Sequence, residues 1–517
     1  MKDRPPDDCG TSAAPGAQDG PPADHPPRPA AQRAIASAYL ELWDRNQSDL
    51  ARRGPGALTA SAAAAAAKAQ AEAEAALPHE TPAPPSPNPS TARVSIDPLT
   101  LDGAIAPHRR GRPSPLLYHL GVAAASAAQG AALAPLAGDP RFPWTDLHAE
   151  RGTELGAQLG PDPSWRVARE ALRHITQMTQ GVDAWQRHPW RRETKDPPIL
   201  WRRGTARILD YGATAEAGRA GRPVLVVPSL VNRAYVLDLH PRRSMLRFLA
   251  AQGLRPLLLD WGVPGLDERD FSLSDYVRLR LAPALEAARM LSPDGAAPAA
   301  LGYCMGGSLA AAIAAAGRDR ISRLALIGAP WDFSCLQGVG KAMVTLARAD
   351  DRTTMGARLD AIGAQFGTLP VDALQLVFAA LDPTLAFRKF RAFAALPQDG
   401  PRAEMFAATE DWLNDGVTLT IPAARELLFD WYLDNAMGRG RWAPEGIAAR
   451  PRAIAAPVLA FCSRNDRIAP GPCAEALPAA IPHARILRPT TGHVGMIIGG
   501  SAEREVWRPL AAFLSAD

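Results

Sequence analysis

Residues 301–316 read LGYCMGGSLAAAIAAA, and the way this stretch bends decides the fold. The approach AAPAALGYC has the character of a buried strand, and the alanine run after Met305 has that of a helix. Between them, Gly302-x-Cys304-x-Gly306-Gly307 has the spacing of a sharp strand–turn–helix corner that pushes one side chain out at its tip. Such a corner strains its backbone and brings helix close to strand, so its neighbours must be small; three glycines supply that. A serine hydroxyl usually occupies the tip, and here it is a thiol. The free N–H groups and positive end of the helix after Cys304 would favour negative charge there. The plainer alternative is a buried structural cysteine on a glycine-rich turn.

Residues downstream argue against that alternative. FCSRNDRIAP sets Asp466 in a polar loop just after the strand APVLAF, and TTGHVGMIIGG sets His493 in a glycine-flanked loop before the C-terminal helix. Nucleophile, acid, histidine is the chain order of an α/β-hydrolase triad. In this reading His493 is the general base toward Cys304, and Asp466 orients the imidazole. Asp332, in APWDFSC, is the rival acid, while His240 and His483 lack comparable context and read as surface residues. An oxyanion hole needs two backbone donors. They are expected from Met305 and from the loop VVPSLVNRAY, with Val231 the first choice there and Leu230 the next. Asn232 and Arg233 are expected to brace that loop. Asp260 and Trp261 of LLLDWG fall at a strand end, either beside the site or simply packed.

The rest of the chain fits the same architecture. Short β-rich runs (ILWRRGTARILDY, PVLVVPS, LRPLLLDWG, RLALIGAP, APVLAFCSR, ARILRPT) alternate with helical ones from about residue 197. That alternation predicts an α/β fold: a mostly parallel sheet with helices on both faces, first part 197–334 and second part 446–517. The interval 335–445 lacks a convincing strand and carries aromatic-bearing helical pieces, so it is expected to be a helical cap or lid insertion. Upstream, 96–196 reads as a helical region, and 1–95 as low-complexity and largely disordered. Within the latter, Ile35, Tyr39, Leu42, Trp43 and Leu50 share a face of a short amphipathic helix near 31–52, suited to a partner surface or to its own domain.

Composition narrows the function. A formal charge of +4 without a basic stripe interleaved with aromatics predicts no nucleic-acid partner. The apolar runs are alanine-rich and interrupted, which predicts no transmembrane segment, and the start MKDRPPDDCG has no signal-peptide core. A cytoplasmic location follows as the expectation. Five cysteines without a CxxC pair predict reduced thiols, and no metal site is expected.

GYCMGG resembles the Gly-x-Cys-x-Gly-Gly lipase-like box of the polyhydroxyalkanoate synthases. The stretch PVLVVPSLVNRAYVLDLHPRRSMLRFLAAQGLRPLLLDWGVPG is similar to the segment that precedes their box, and SRNDRIAP and TGHVGMIIGG resemble their acid and histidine loops. The likeness covers roughly 197–335 and 450–517 strongly and the cap only loosely. It implies that Cys304 carries the acyl group, that 3-hydroxyacyl-CoA is the substrate with no separate cofactor, and that a polyester chain grows on the enzyme. It also implies a homodimer or a companion synthase subunit, and action at a polyester granule surface. DWGVPG is closer to the short synthases that work with a companion, whereas a long N-terminal region is more typical of stand-alone ones. The competing function is hydrolysis, as an intracellular polyester depolymerase, esterase or thioesterase. A non-catalytic granule protein is disfavoured by the complete triad.

Overall fold

The computed structural model describes residues 29–65, 67, 68, 110, 111, 113–292, 295–337, 340, 341, 344, 345, 348 and 351–516. Of the region 1–95 expected to be largely disordered, residues 1–28 and 69–95, Cys9 among them, fall outside the described residues. Of the alanine-rich run 57–77, residues 60–65, 67 and 68 are helical.

The core is one eight-stranded sheet. Its strands in chain order are β1 (Ile199–Arg203), β2 (Ala206–Asp210), β3 (Arg222–Val227), β6 (Leu254–Asp260), β7 (Ala299–Tyr303), β8 (Leu324–Ile327), β9 (Val458–Phe461) and β10 (Ala484–Leu487). A separate small hairpin is formed by β4 (Asp238–His240) and β5 (Arg243–Ser244). The spatial order in the large sheet is β1-β2-β6-β3-β7-β8-β9-β10. Every neighbour from β6 to β10 is parallel, while β1 and β2 form an antiparallel edge. ILWRRGTARILDY is thus two strands, because Gly204 takes a left-handed φ of 57° and turns the chain back on itself.

The strands β3, β7, β8 and β9 are apolar on both faces because helices cover both. On one side lie the helical run 273–289 and the helices Met305–Ala316 and Gly471–Ala479; on the other lie Met245–Ala251 and the C-terminal run 503–515. A Ser272–Asp275 capping box opens the 273–289 run. The alanine run 310–316 makes sense in this setting, since the helix that follows the corner is buried from Met305 to Ala315 and has little room for larger side chains.

The interval between β8 and β9, called the cap below, holds the helices Arg352–Phe366, Val371–Leu381, Leu385–Ala394, Pro401–Asn414 and the run 421–433. Before the core come helices Pro29–Arg53, Leu116–Leu133, Ala149–Gln158 and Pro163–Arg187. The apolar face of the first is spent inside the chain. Tyr39 and Trp43 are buried edge-on against Trp144, and their polar atoms donate to the carbonyls of Gly130 (3.1 Å) and Ser126 (3.0 Å). Those carbonyls belong to a stretch, Leu116–Leu136, that is long and apolar enough by length and composition to cross a membrane. Its apolarity is a sum of weakly apolar alanines, and the core helix of a soluble protein meets the same measure.

Candidate active site

Cys304 stands at the tip of the corner between β7 and the helix Met305–Ala316, with φ 56° and ψ −131°. That left-handed backbone is unusual for a non-glycine residue and is held by bonds on both sides: Cys304 N–H donates to the Ile327 carbonyl (2.9 Å), and Gly307 N–H to the Cys304 carbonyl (2.9 Å). The glycines are required by contact. A Cβ on Gly302 would lie 2.3 Å from the Gly307 Cα, and one on Gly306 would lie 2.2 Å from the Val227 carbonyl oxygen.

The structure brings His493 and Asp466 together under this corner. Both are buried, and His493 Nδ1 donates to Asp466 Oδ2 at 2.6 Å. The other carboxylate oxygen accepts from the N–H groups of Ile468 and Ala469, each at 2.8 Å, so Asp466 is fixed by its own loop. Asn465 Nδ2 donates to the Thr490 carbonyl (2.7 Å), and the Ser463 hydroxyl to that of Thr491, tying the acid loop to the histidine loop. With Nδ1 committed to Asp466, Nε2 is the ring nitrogen left to face Cys304. Burial works against a charged imidazole. The Asp466 carboxylate, Cys304 and the hydrogen bonds to both outweigh it, and His493 titrates well above its usual 6.5.

Other candidates separate cleanly. Asp332 accepts from Ser334 N–H (2.9 Å) and from Asn435 Nδ2 (2.8 Å), which is far along the chain, while the histidine bonds Asp466 instead. His483 is exposed, but His240 is not a surface residue: it is buried, stacked on Trp190 (5.9 Å between rings, 17° apart), and its Nδ1 accepts from Arg242 N–H. His240 ends β4 and pairs with Arg243 of β5, and the distant contact that buries it, with Trp190, has no signal in the sequence. Asp260 pairs with Arg207, and Trp261 Nε1 donates to the Pro228 carbonyl (3.1 Å), so both pack rather than face the reaction. Burial pushes the thiols of Cys462 and Cys473 up to about 12, which leaves Cys304 and Cys335 as the thiols on the cavity.

That cavity, of about 740 Å³, runs from Cys304 up into the cap. Ser229, Val231, Cys304 and Met305 line its floor, and Leu369, Leu374, Val377, Phe378, Leu427 and Tyr432 its apolar walls. Met305 is the first residue of its helix, so its N–H has no acceptor within the helix. Val231 N–H lies 3.3 Å from Ser229 Oγ, a long bond, and Leu230 is buried. Asn232 and Arg233 tie this loop to the cap: Asn232 bridges to Gly416, and Arg233 pairs with Asp415 at 3.3 Å. Among the described residues, no three His, Cys, Asp or Glu side chains form a group that could hold a metal ion.

Two residues at the site were missed by the sequence reading. Tyr303 lies against the imidazole of His493, with ring centres 5.2 Å apart, and Gly328 (φ 57°) leaves the space that the same ring fills. The Tyr beside the nucleophile and the Gly after IleLeu-rich β8 were visible, but their shared target was not.

The alpha/beta hydrolase fold family matches residues 222–499, and the family described as the N-terminus of poly-beta-hydroxybutyrate polymerase (PhaC) matches 194–249. The chain is similar to the poly(3-hydroxyalkanoate) polymerase subunit PhaC of Haloferax mediterranei, 26% identical over 60% of this chain and 61% of that one. It is likewise similar to that of Haloarcula marismortui, 26% identical over 61% of this chain and 67% of that one. For the Synechocystis protein the figures are 27% identity, 57% and 77%. The match therefore spans less than two thirds of the length of the first of these relatives. The chain belongs to the alpha/beta hydrolase fold family and is related within it to the poly(3-hydroxyalkanoate) polymerases.

Proposed function

We propose that this protein is a polyhydroxyalkanoate synthase-like acyltransferase that polymerises 3-hydroxyacyl-CoA. The Cys304 proton passes to His493, the thiolate attacks the thioester carbonyl, and the oxyanion collects on the N–H groups of Met305 and Val231, displacing the long Val231 bond to Ser229. Collapse of the adduct expels CoA, which leaves with the proton from His493. His493 then takes the proton of a 3-hydroxyl group, whose oxygen attacks the acyl-cysteine and lengthens the polyester by one unit; the proton returns to Cys304. Asp466 holds the imidazole in the tautomer this sequence needs.

The observation that carries this reading is a thiol on the strained corner beside a buried Asp466–His493 pair at 2.6 Å. Exchange of one thioester for another is nearly balanced in free energy, so the acyl group remains activated for an alcohol; a serine ester would lose that activation. The apolar cavity over Cys304 supports transfer over hydrolysis, because it disfavours water as the acceptor. An insoluble product would keep the enzyme at a granule surface.

The test is direct. Purified protein given 3-hydroxybutyryl-CoA, alone and with candidate companion subunits, releases CoA and forms insoluble polyester, and Cys304→Ala abolishes both. Free 3-hydroxybutyrate without polymer would instead establish a hydrolase, and no turnover of any acyl-CoA or polyester would sink both.

A further inference from the structure

A buried carboxylate outside the triad links three parts of the chain that the sequence keeps far apart. Asp382 closes the cap helix Val371–Leu381 and is buried together with Ser48 of the helix Pro29–Arg53. The Ser48 hydroxyl donates to Asp382 Oδ1, and Arg388 Nη2 donates to both carboxylate oxygens at 3.1 Å. Arg388 Nη1 also donates to Ser48 Oγ at 3.2 Å, and Thr384, 2.8 Å from Ser48 Oγ, donates to the Asp44 carbonyl at 2.9 Å. The remaining partner of Asp382 is Arg467, paired with Oδ2. Arg52 and Asp49 lie within electrostatic range of Arg467 and complete the charged surroundings.

Arg467 directly follows Asp466. The loop that carries both is fastened on its inner side by the bonds of Asp466 to Ile468, Ala469 and His493. On its outer side Arg467 reaches the cap, and through Asp382 it reaches a helix that lies outside both matched family regions, 194–249 and 222–499. A fully bonded buried carboxylate is a stiff junction, because each partner lost leaves charge uncompensated.

We propose that Ser48 and Asp382 are positioning residues for the Asp466–His493 pair, acting through Arg467, so that docking of the helix Pro29–Arg53 sets the geometry of the catalytic pair. The inference rests on the triad reading above. Its consequence is that the N-terminal region acts on the chemistry through a defined bond path, beyond holding the cap by bulk packing.

The readout is the pH profile of Cys304 alkylation by iodoacetamide in the full-length protein, followed by mass spectrometry of the Cys304 peptide, which needs no knowledge of the substrate. Cutting the path at Ser48→Ala, Asp382→Asn or Arg467→Gln lets Asp466 drift from His493. The limb of the profile set by His493 then moves down toward the ordinary imidazole range, and the rate falls roughly three- to thirtyfold. Arg467→Lys, which keeps the charge, restores most of the shift. Ser48→Ala is the mildest of these changes and carries the test if Asp382→Asn fails to fold. A fall in rate with an unmoved pH limb, or no change in either, overturns the proposal while leaving the triad intact. A wild type whose Cys304 alkylates no faster than Cys335, with no pH dependence tied to His493, overturns the triad reading itself and the proposal with it.

Discussion

Gly328 offers the sharpest test of how the site is built. It sits at φ 57° just after β8, and a Cβ placed there would come within 2.9 Å of His493 Cε1 and 3.0 Å of Nδ1. Ordinary contact begins near 3.4 Å, so the ring must yield by about half an ångström, away from the position that gives the 2.6 Å bond to Asp466. A misplacement on the order of 1 Å costs about a hundredfold in rate, which puts Gly328→Ala near a tenfold loss in kcat. The left-handed backbone adds a stability loss of about 1–2 kcal/mol. Gly446 separates the two effects, since it has φ 76° with nothing within 4 Å of the added Cβ. Gly446→Ala should lose a comparable amount of stability and keep its rate. The assay follows the thioester absorbance of 3-hydroxybutyryl-CoA, with thermal unfolding measured in parallel. A Gly328→Ala enzyme within twofold of Gly446→Ala in kcat would show that His493 does not depend on this clearance.

Asp466→Asn keeps an oxygen for the Ile468 and Ala469 N–H groups but no longer enforces the imidazole tautomer; kcat should fall by about four orders of magnitude with an unchanged circular dichroism spectrum. The folded-state pKa of His493 lies above its unfolded value of about 6.5. Its stabilising contribution is therefore complete below that pH and is lost as pH rises through the folded value. Unfolding midpoints measured across neutral and alkaline pH should show this decline in the wild type, and His493→Gln should lack that component. Trp43→Ala empties the space beside Phe142 and Trp144 and should cost about 3–5 kcal/mol in urea unfolding.

The corner at Cys304 and the two loops that bring Asp466 to His493 were legible because each is a local signal: glycines at fixed spacing, and polar loops at strand ends in a set order. The cap was legible only as an interruption of the strand rhythm. What it covers depends on contacts between residues far apart in sequence, such as Asn232 with Gly416 and Asp382 with Arg467. The burial of His240 was hidden for the same reason, since its stacking partner Trp190 lies fifty residues upstream. The helix near 31–52 was readable as amphipathic, but not its target. Trp43 fits where Gly130 leaves room, with 3.0 Å between the Trp43 Cδ1 and an imagined Cβ, and one glycine in a run of alanines carries no visible mark.

The closeness of Gly306 to the Val227 and Pro228 carbonyls has a further meaning for how this scaffold can change. Backbone packed on backbone locks the Cys304 corner to the strand end from which the Val231 loop departs, so the distance between Cys304 and both proposed oxyanion donors is set by backbone more than by side-chain choice. The apolar walls above them come from a separate stretch of chain that enters after β8 and returns before β9. On the proposed function, selectivity for the acyl group is thus a replaceable part. Substitutions in Leu369, Leu374 or Phe378 should then retune what is accepted without disturbing the corner beneath.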